Sequence, residues 1–277
     1  MMNPTIPQQL FRYQKIGNYP ALRRITAVSM MNTRSLSAPP FYGAPRSLTE
    51  PQSTLIQRVL RTAQSVRTAV ADPTRADAVA ALGELTGHSA ISTMYRKMMA
   101  DPTGQRILRD RPIVTTMTFD INGDDDNDVT FGQAYGRFLK NHDFDAEKRD
   151  PVKYIDDPDL AYVMLRYRQC HDFWHVLTGL PPTVLGELGL KWLELMQTGL
   201  PVAAMSVTFG TVTLNKKERQ ILHSQYMPWA VQMSRQATYL LNVYYEEEFD
   251  TNLIELRKKL HIQTAPRVDH ETRIPLS

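Results

Sequence analysis

One cysteine in 277 residues, Cys170, removes any disulfide within the chain and fits a reducing compartment. Acidic residues are absent from positions 1–49, which carry six basic ones: Arg12, Lys15, Arg23, Arg24, Arg34 and Arg46. Setting that segment aside leaves 26 basic against 29 acidic residues in 50–277, so the formal charge of +3 belongs to the N-terminus and the body is mildly acidic. Such a body carries no electrostatic footprint for nucleic acid, and no nucleic-acid partner is expected. Long apolar runs are missing too. The nearest is Met196–Leu214, 19 residues without a charge, interrupted by Gln197, Gly199, Pro201, Ser206, Gly210 and four threonines. It reads as core, or as a wall facing lipid, and not as a bilayer span. No internal repeat recurs at about 20–50-residue spacing.

The acid-free segment bears arginines, serines and threonines, and is broken by Pro4, Pro7, Pro20, Pro39 and Pro40. It lacks the apolar core of a secretory signal, so residues 1–36 read as a mitochondrial transit peptide, with Arg34-Ser35-Leu36 placed for removal before Ser37. The plain alternative is a disordered basic tail. Residues 37–49 read as a Pro-rich linker, 50–265 as one domain and 266–277 as a flexible tail.

Inside the domain the hydrophobic period is helical. Leu55, Ile56, Val59, Leu60, Ala63, Val66 and Val70 mark a first amphipathic helix, and 75–86, 88–100 and 103–110 read as shorter ones. Residues 113–119 are rich in β-branched types but find no partner strand. Phe131, Tyr135, Phe138 and Leu139 mark another helix; a long one runs from Pro158 to Thr178, stopped by Gly179 and Pro181-Pro182. Val184, Leu188, Trp192, Leu195 and Met196 form the stripe of the next. From Leu222 to Tyr244 the period persists, with Pro228 expected to kink the helix or start a second. Leu253, Leu256 and Leu260 mark the last, capped by Asp250 or Thr251. The fold class is all-α, a single-domain layered helical bundle.

Chemistry concentrates at His171-Asp172-Phe173-Trp174-His175, followed after eleven residues by Glu187. Four helical steps of about 100° bring His175 to within about 40° of His171, and Asp172 falls about 60° from His175, so all three share an arc of about 100°. Both histidines lie in the stripe Leu160, Val163, Met164, Tyr167, His171, Trp174, His175, Thr178, where aliphatic residues would ordinarily sit. Burying two imidazoles without partners costs about several kcal/mol. His171, Asp172, His175 and, from the next helix, Glu187 therefore form a candidate ligand set for one divalent metal. The alternative is a pair of core histidines hydrogen-bonded to Asp172 and Glu187. Cys170 projects about 100° from His171, away from Asp172, and reads as a small core residue.

Other metal motifs fit less well. A calcium loop starting at Asp120 requires Gly at its sixth position and Glu at its twelfth, where the chain has Asp125 and Phe131. A zinc protease uses His-Glu-x-x-His, and Asp172 is one methylene shorter than that glutamate. Di-iron bundles need a second Glu-x-x-His unit, which the chain lacks. His88, His142, His223, His261 and His270 show no ligand spacing among themselves. A mononuclear site between two helices is the reading, with the His-Asp pair of metal-dependent phosphohydrolases as a distant alternative.

His171-Asp172-x-x-His175-x11-Glu187 resembles the signature of the fourth coenzyme Q biosynthesis protein family. So do Asp157-Pro158, Tyr162-Val163-Met164 and Arg166-Tyr167-Arg168 before it. After it come Gly186-Glu187, Lys191-Trp192, Gln197-Thr198-Gly199-Leu200-Pro201, Pro228-Trp229-Ala230 and Asn242-Val243-Tyr244-Tyr245-Glu246. The likeness spans Leu48 to Ile262, with all four motif positions intact.

The resemblance implies a zinc-type protein, with iron the alternative metal, peripheral on the matrix side of the mitochondrial inner membrane. It implies partners among the other ubiquinone-synthesis enzymes in a complex, a polyprenylated aromatic lipid as substrate, and homo-oligomers as an open option. The implied activity is removal of the C1 carboxylate from 4-hydroxy-3-methoxy-5-polyprenylbenzoate, with or without hydroxylation there; the rival reading is a lipid-binding scaffold with a structural zinc. Arg168, about 60° from His171 around the helix, is the candidate to hold a substrate carboxylate through a bidentate contact, against the alternative of an i, i+4 ion pair with Asp172.

Overall fold

The computed structural model describes residues 83–114, 129–146 and 151–268. The expected leader (1–36) and linker (37–49), the helix expected at 55–70, most of 75–86, the acidic stretch 120–128 and most of the expected tail lie outside the described residues. Within them regular structure is helical throughout, and extended pairing is confined to one isolated bridge, Thr130 with Asn252. The elements are α1 (His88–Met99), α2 (Pro102–Asp110), α3 (Phe131–His142), α4 (Pro158–Thr178), α5 (Val184–Thr198), α6 (Pro201–Thr213), α7 (Lys216–Ile221), α8 (Met227–Gln236) and α9 (Leu253–Lys259). The all-α reading holds.

The bundle is arranged around α4. Asp157 caps it, accepting from the backbone N–H groups of Asp159 and Leu160 at 2.9 and 3.0 Å, and Pro158 occupies its first turn. Fifteen of its 21 residues are buried, so its apolar surface wraps most of the circumference, the mark of a central helix. On one side α3 and the segment after α8 supply an aromatic cluster around Phe173, with ring centroids 4.6 Å from Tyr135, 4.9 Å from Tyr245 and 5.4 Å from Phe131. Such pairs add about 0.5–1.5 kcal/mol each beyond the area they bury. The buried Arg166 guanidinium grips both carboxylate oxygens of Glu246 and donates to the Val243 carbonyl at 3.2 Å. That contact ties α4 to the C-terminal third. α5 packs between α4 and a cover made by α6 and α8.

The C-terminal third departs from the expected long helix. Leu222–Tyr226 is a π-helical turn, in which the Met227 N–H reaches the Leu222 carbonyl, and α8 follows directly with Pro228 in its first turn. The wider turn thus falls where Pro228 has no N–H to give. Helix then stops at Gln236, eight residues before Tyr244, the last residue of the sequence period. The Gln197 side chain donates to the Thr238 carbonyl and accepts from the Leu240 N–H at 3.1 Å, while the Thr238 N–H goes to Leu260. Long-range partners take the backbone groups that further helix would use. Leu240–Asn242 and Tyr245–Glu247 become short 3-10 turns instead. The cap of α9 is Asn252, accepting from Ile254 and Glu255, and not Asp250 or Thr251.

Candidate metal centre

His171 and His175 leave α4 one turn apart near its C-terminus. Gly179 ends the helix in the left-handed conformation, φ 73°, which lets the chain reverse at once. The reversal turns the Leu180 carbonyl back on His175, whose Nδ1–H donates to it at 2.9 Å. Four residues on, Thr183 caps α5 by accepting the Gly186 N–H at 3.2 Å. Gly186 is needed there for a steric reason: a Cβ at that position would lie 2.0 Å from the Pro181 carbonyl oxygen. This close approach sets the first turn of α5 against the end of α4 and delivers Glu187 to the histidines. A carboxylate in a first helical turn is also favoured by the helix dipole.

Three side chains converge. His175 Nε2 lies 3.2 Å from His171 Nε2 and 3.1 Å from Glu187 Oε1, and His171 Nε2 lies 3.3 Å from Glu187 Oε2. Both rings are committed at the opposite nitrogen. A carbonyl oxygen only accepts, so His175 carries its proton on Nδ1. His171 Nδ1 sits 2.6 Å from Glu194 Oε1 and donates to that carboxylate. In the neutral rings the two Nε2 lone pairs therefore face each other beside a carboxylate. That geometry calls for positive charge between them. His175 and Glu187 are 2% and 3% exposed, which leaves water little part in screening it. Among the described residues the buried Glu187 Oε2 meets only the long contact from His171 Nε2 and no well-formed hydrogen bond.

The electrostatics agree. Burial and the Lys191 ammonium lower the pKa of His171, but the Glu194 and Glu187 carboxylates outweigh them and lift it to about 9. Burial opposes ionisation of Glu187, yet His175 and His171 hold its pKa well below the usual carboxylate range. For Glu194 burial is again outweighed, by Lys191 and His171, and its pKa falls to about 2. A field that retains a proton this firmly also favours a metal cation, and imidazole with carboxylate is a donor set suited to zinc or iron. Among the described residues His171, His175 and Glu187 form a group able to hold a metal, with all ligand atoms within 4.8 Å of one another. The residues fit the ion.

Asp172, the fourth residue expected from sequence, is 1% exposed and does not belong to that group of three. Its charge acts on His142, whose pKa is lowered mainly by burial and whose Nδ1 bonds to the Phe138 carbonyl at 2.7 Å. Phe138 in turn stacks on His175, centroids 5.6 Å apart, and walls the site on that side. Arg168 is paired with Glu84 at 2.6 Å, a partner 84 positions away that helical spacing does not reveal. The other oxygen of Glu84 accepts the backbone N–H groups of Lys153 and Tyr154 at 2.8 and 2.6 Å, so the guanidinium is anchored to a fixed carboxylate.

Glu194 and Lys191 are the residues the sequence reading overlooked. A signal was there: Glu187, Lys191 and Glu194 recur at i, i+4, i+7 on a largely apolar helix. The structure turns this polar stripe inward, with Glu194 at 1% and Lys191 at 8% exposure, whereas Met196 from the apolar stripe is 41% exposed. A groove of about 550 Å³ along Met227, Val231 and Arg235 shares no lining residue with the centre.

A helical bundle whose two inner helices bring two imidazoles and a carboxylate to one point defines the class, an all-α protein with a candidate mononuclear metal centre. The family model for the coenzyme Q (ubiquinone) biosynthesis protein Coq4 matches residues 49–266, and the chain belongs to that family. It is 43% identical over 205 residues to the mitochondrial ubiquinone biosynthesis protein COQ4 homologue of Nematostella vectensis, covering 73% of this chain and 99% of that protein. To the Homo sapiens homologue it is 38% identical over 254 residues, 91% and 94% of the two chains. A solved structure from Nostoc punctiforme, of a protein assigned to ubiquinone biosynthesis, shares the fold with a TM-score of 0.58 at 20% identity, covering 76% of this chain and 98% of that one. The role of the chain lies in ubiquinone biosynthesis.

Proposed function

We propose that the chain removes the C1 carboxylate of 4-hydroxy-3-methoxy-5-polyprenylbenzoate, using a divalent metal held by His171, His175, Glu187 and Asp172. The convergence of two Nε2 atoms and a carboxylate within hydrogen-bond distance carries the reading. Asp172 enters the set as a buried carboxylate adjoining His171 on the same helix. Bound there, the ion would supply Lewis acidity to the substrate carboxylate, and a redox-active metal like iron, unlike zinc, would also activate dioxygen as the oxidant for oxygen insertion at C1. Arg168, held by Glu84 at the flank of the site, orients the substrate carboxylate with its planar fork. Phe138 and the buried shell keep water away, which strengthens these charge contacts. In the substrate the ionised para hydroxyl pushes electrons toward C1, a proton arrives there, the bond to the carboxyl carbon breaks, and carbon dioxide leaves.

The polyprenyl tail asks for a lipid interface. Among the described residues no helix is long and apolar enough to cross a membrane. α6 carries no charge, exposes Phe209 and Val212 at 51% and 75%, and is followed by the exposed Lys216 and Lys217. These features support peripheral association with an anionic bilayer, which in the proposed setting is the matrix face of the inner mitochondrial membrane, alongside other ubiquinone-synthesis enzymes.

Burial of His175 and Glu187 favours a second reading, a scaffold in which the metal staples α4 to α5. Turnover separates the two. Purified protein loaded with zinc or iron is incubated with the prenylated benzoate, and products are resolved by mass spectrometry. The decarboxylase reading expects loss of the carboxyl group in at least one metal form. Intact substrate with every metal would leave the scaffold.

A further inference from the structure

We propose that Glu194 is the positioning residue of the metal centre. Its Oε1 takes the Nδ1–H of His171, while Lys191 and Tyr167 hold Oε2, so that His171 presents its Nε2 lone pair to the point shared with His175 and Glu187. The inference rests on the metal reading above, and assigns a residue that reading does not use.

The two imidazoles are held by different acceptors. His175 is fixed by a main-chain carbonyl, that of Leu180, and needs no side chain to set its tautomer. His171 depends on a carboxylate from the facing helix, at 2.6 Å. Glu194 in its turn is locked: Lys191 Nζ donates to Oε2 at 2.6 Å, the Tyr167 hydroxyl donates to the same oxygen, and the side chain is fully buried. Oε1 is left facing His171. A carboxylate behind a ligating histidine orients the ring and strengthens it as a donor. An ion pair serving only to bury Lys191 would not require Oε1 to meet the imidazole.

The amide isostere exposes the difference. Lys191 has donors and no acceptor, so in Glu194→Gln the amide oxygen turns to Lys191 and the amide NH2 faces His171. That drives the His171 proton from Nδ1 to Nε2, the nitrogen meant for the metal. Replacing Lys191 by Met in the same chain frees the amide to turn back and accept from Nδ1–H.

The test uses the full-length protein. Long-range 1H–15N spectra of the metal-free form, recorded over a series of alkaline pH values, report each tautomer, and chelator competition reports zinc affinity. The proposal expects His171 to move from Nδ1–H to Nε2–H in Glu194→Gln while His175 stays unchanged, with zinc binding weakened about 10–100-fold. It expects Lys191→Met/Glu194→Gln to restore both readouts, and this charge-neutral pair also serves if the single variant fails to fold. His171 retaining Nδ1–H in Glu194→Gln overturns the proposal, as does the Nε2–H tautomer in the double variant. If the wild-type chain binds no metal, the metal reading fails and the tautomer spectra alone decide the role of Glu194.

Discussion

A neutral imidazole has one proton and one lone pair, so whatever takes the proton decides where the lone pair points. At His171 the taker is a carboxylate whose pKa burial would raise and which Lys191 and His171 nevertheless hold at about 2, against an ordinary 4.5. A depressed folded-state pKa means that its stabilisation is complete above about pH 4.5 and drains away as pH falls through about 2. Acid unfolding followed by circular dichroism checks this: Glu194→Gln is expected to flatten the stability curve between those values, and an unchanged acid limb would deny the assignment. Arg168 is the second case at this scale. Arg168→Lys keeps a cation beside Glu84 but loses the planar fork. Turnover is expected to fall about tenfold or more, the loss of one charge-assisted contact, with metal content unchanged. Loss of metal together with activity would instead make Arg168 a support for Asp172.

Helix α5 carries two stripes, one apolar and one polar, and periodicity points only to the apolar one. Of the apolar stripe, Leu188 is buried, Val184, Trp192 and Leu195 pack against the core and Met196 is exposed, while Glu187, Lys191 and Glu194 are buried as well. Hydrophobic period reports where apolar side chains recur; it does not reveal charges buried because they satisfy one another. What fixes the inward face is the steric meeting of Gly186 with Pro181. Gly186→Ala is expected to push the first turn of α5 away from α4, costing about 1–3 kcal/mol by overpacking, and to weaken metal binding as Glu187 retreats. Calorimetry with and without zinc measures both, and a variant with unaltered zinc stabilisation would contradict the role given to that contact. At α6 the expectation concerns lipid. Phe209→Ser with Val212→Ser should lower co-sedimentation with cardiolipin-containing vesicles, whereas the exposed Ile254→Ser on α9 should not.

Across the whole molecule, the all-α class, the span of α4 from Pro158 to Thr178 and the pairing of His171 with His175 were legible because each rests on local spacing and local caps. The illegible features rest on partners distant in sequence. The helix after Pro228 ends early because Gln197 and Leu260 claim its next backbone groups. Arg168 meets Glu84 across 84 positions. His171, His175 and Glu187 were readable as neighbours and do meet, whereas Glu194 left only its helical spacing from Glu187 as a signal, and nothing local says which imidazole it faces. At the centre of the proposed function, His171, His175 and Glu187 share one ion. Metal content per chain, measured by inductively coupled plasma mass spectrometry on wild type, His175→Ala and Glu187→Ala purified alike, tests that. The expected result is about one divalent metal per wild-type chain, by the mononuclear donor set, and strong depletion in both variants. Equal metal in all three proteins, or none in any, would contradict it.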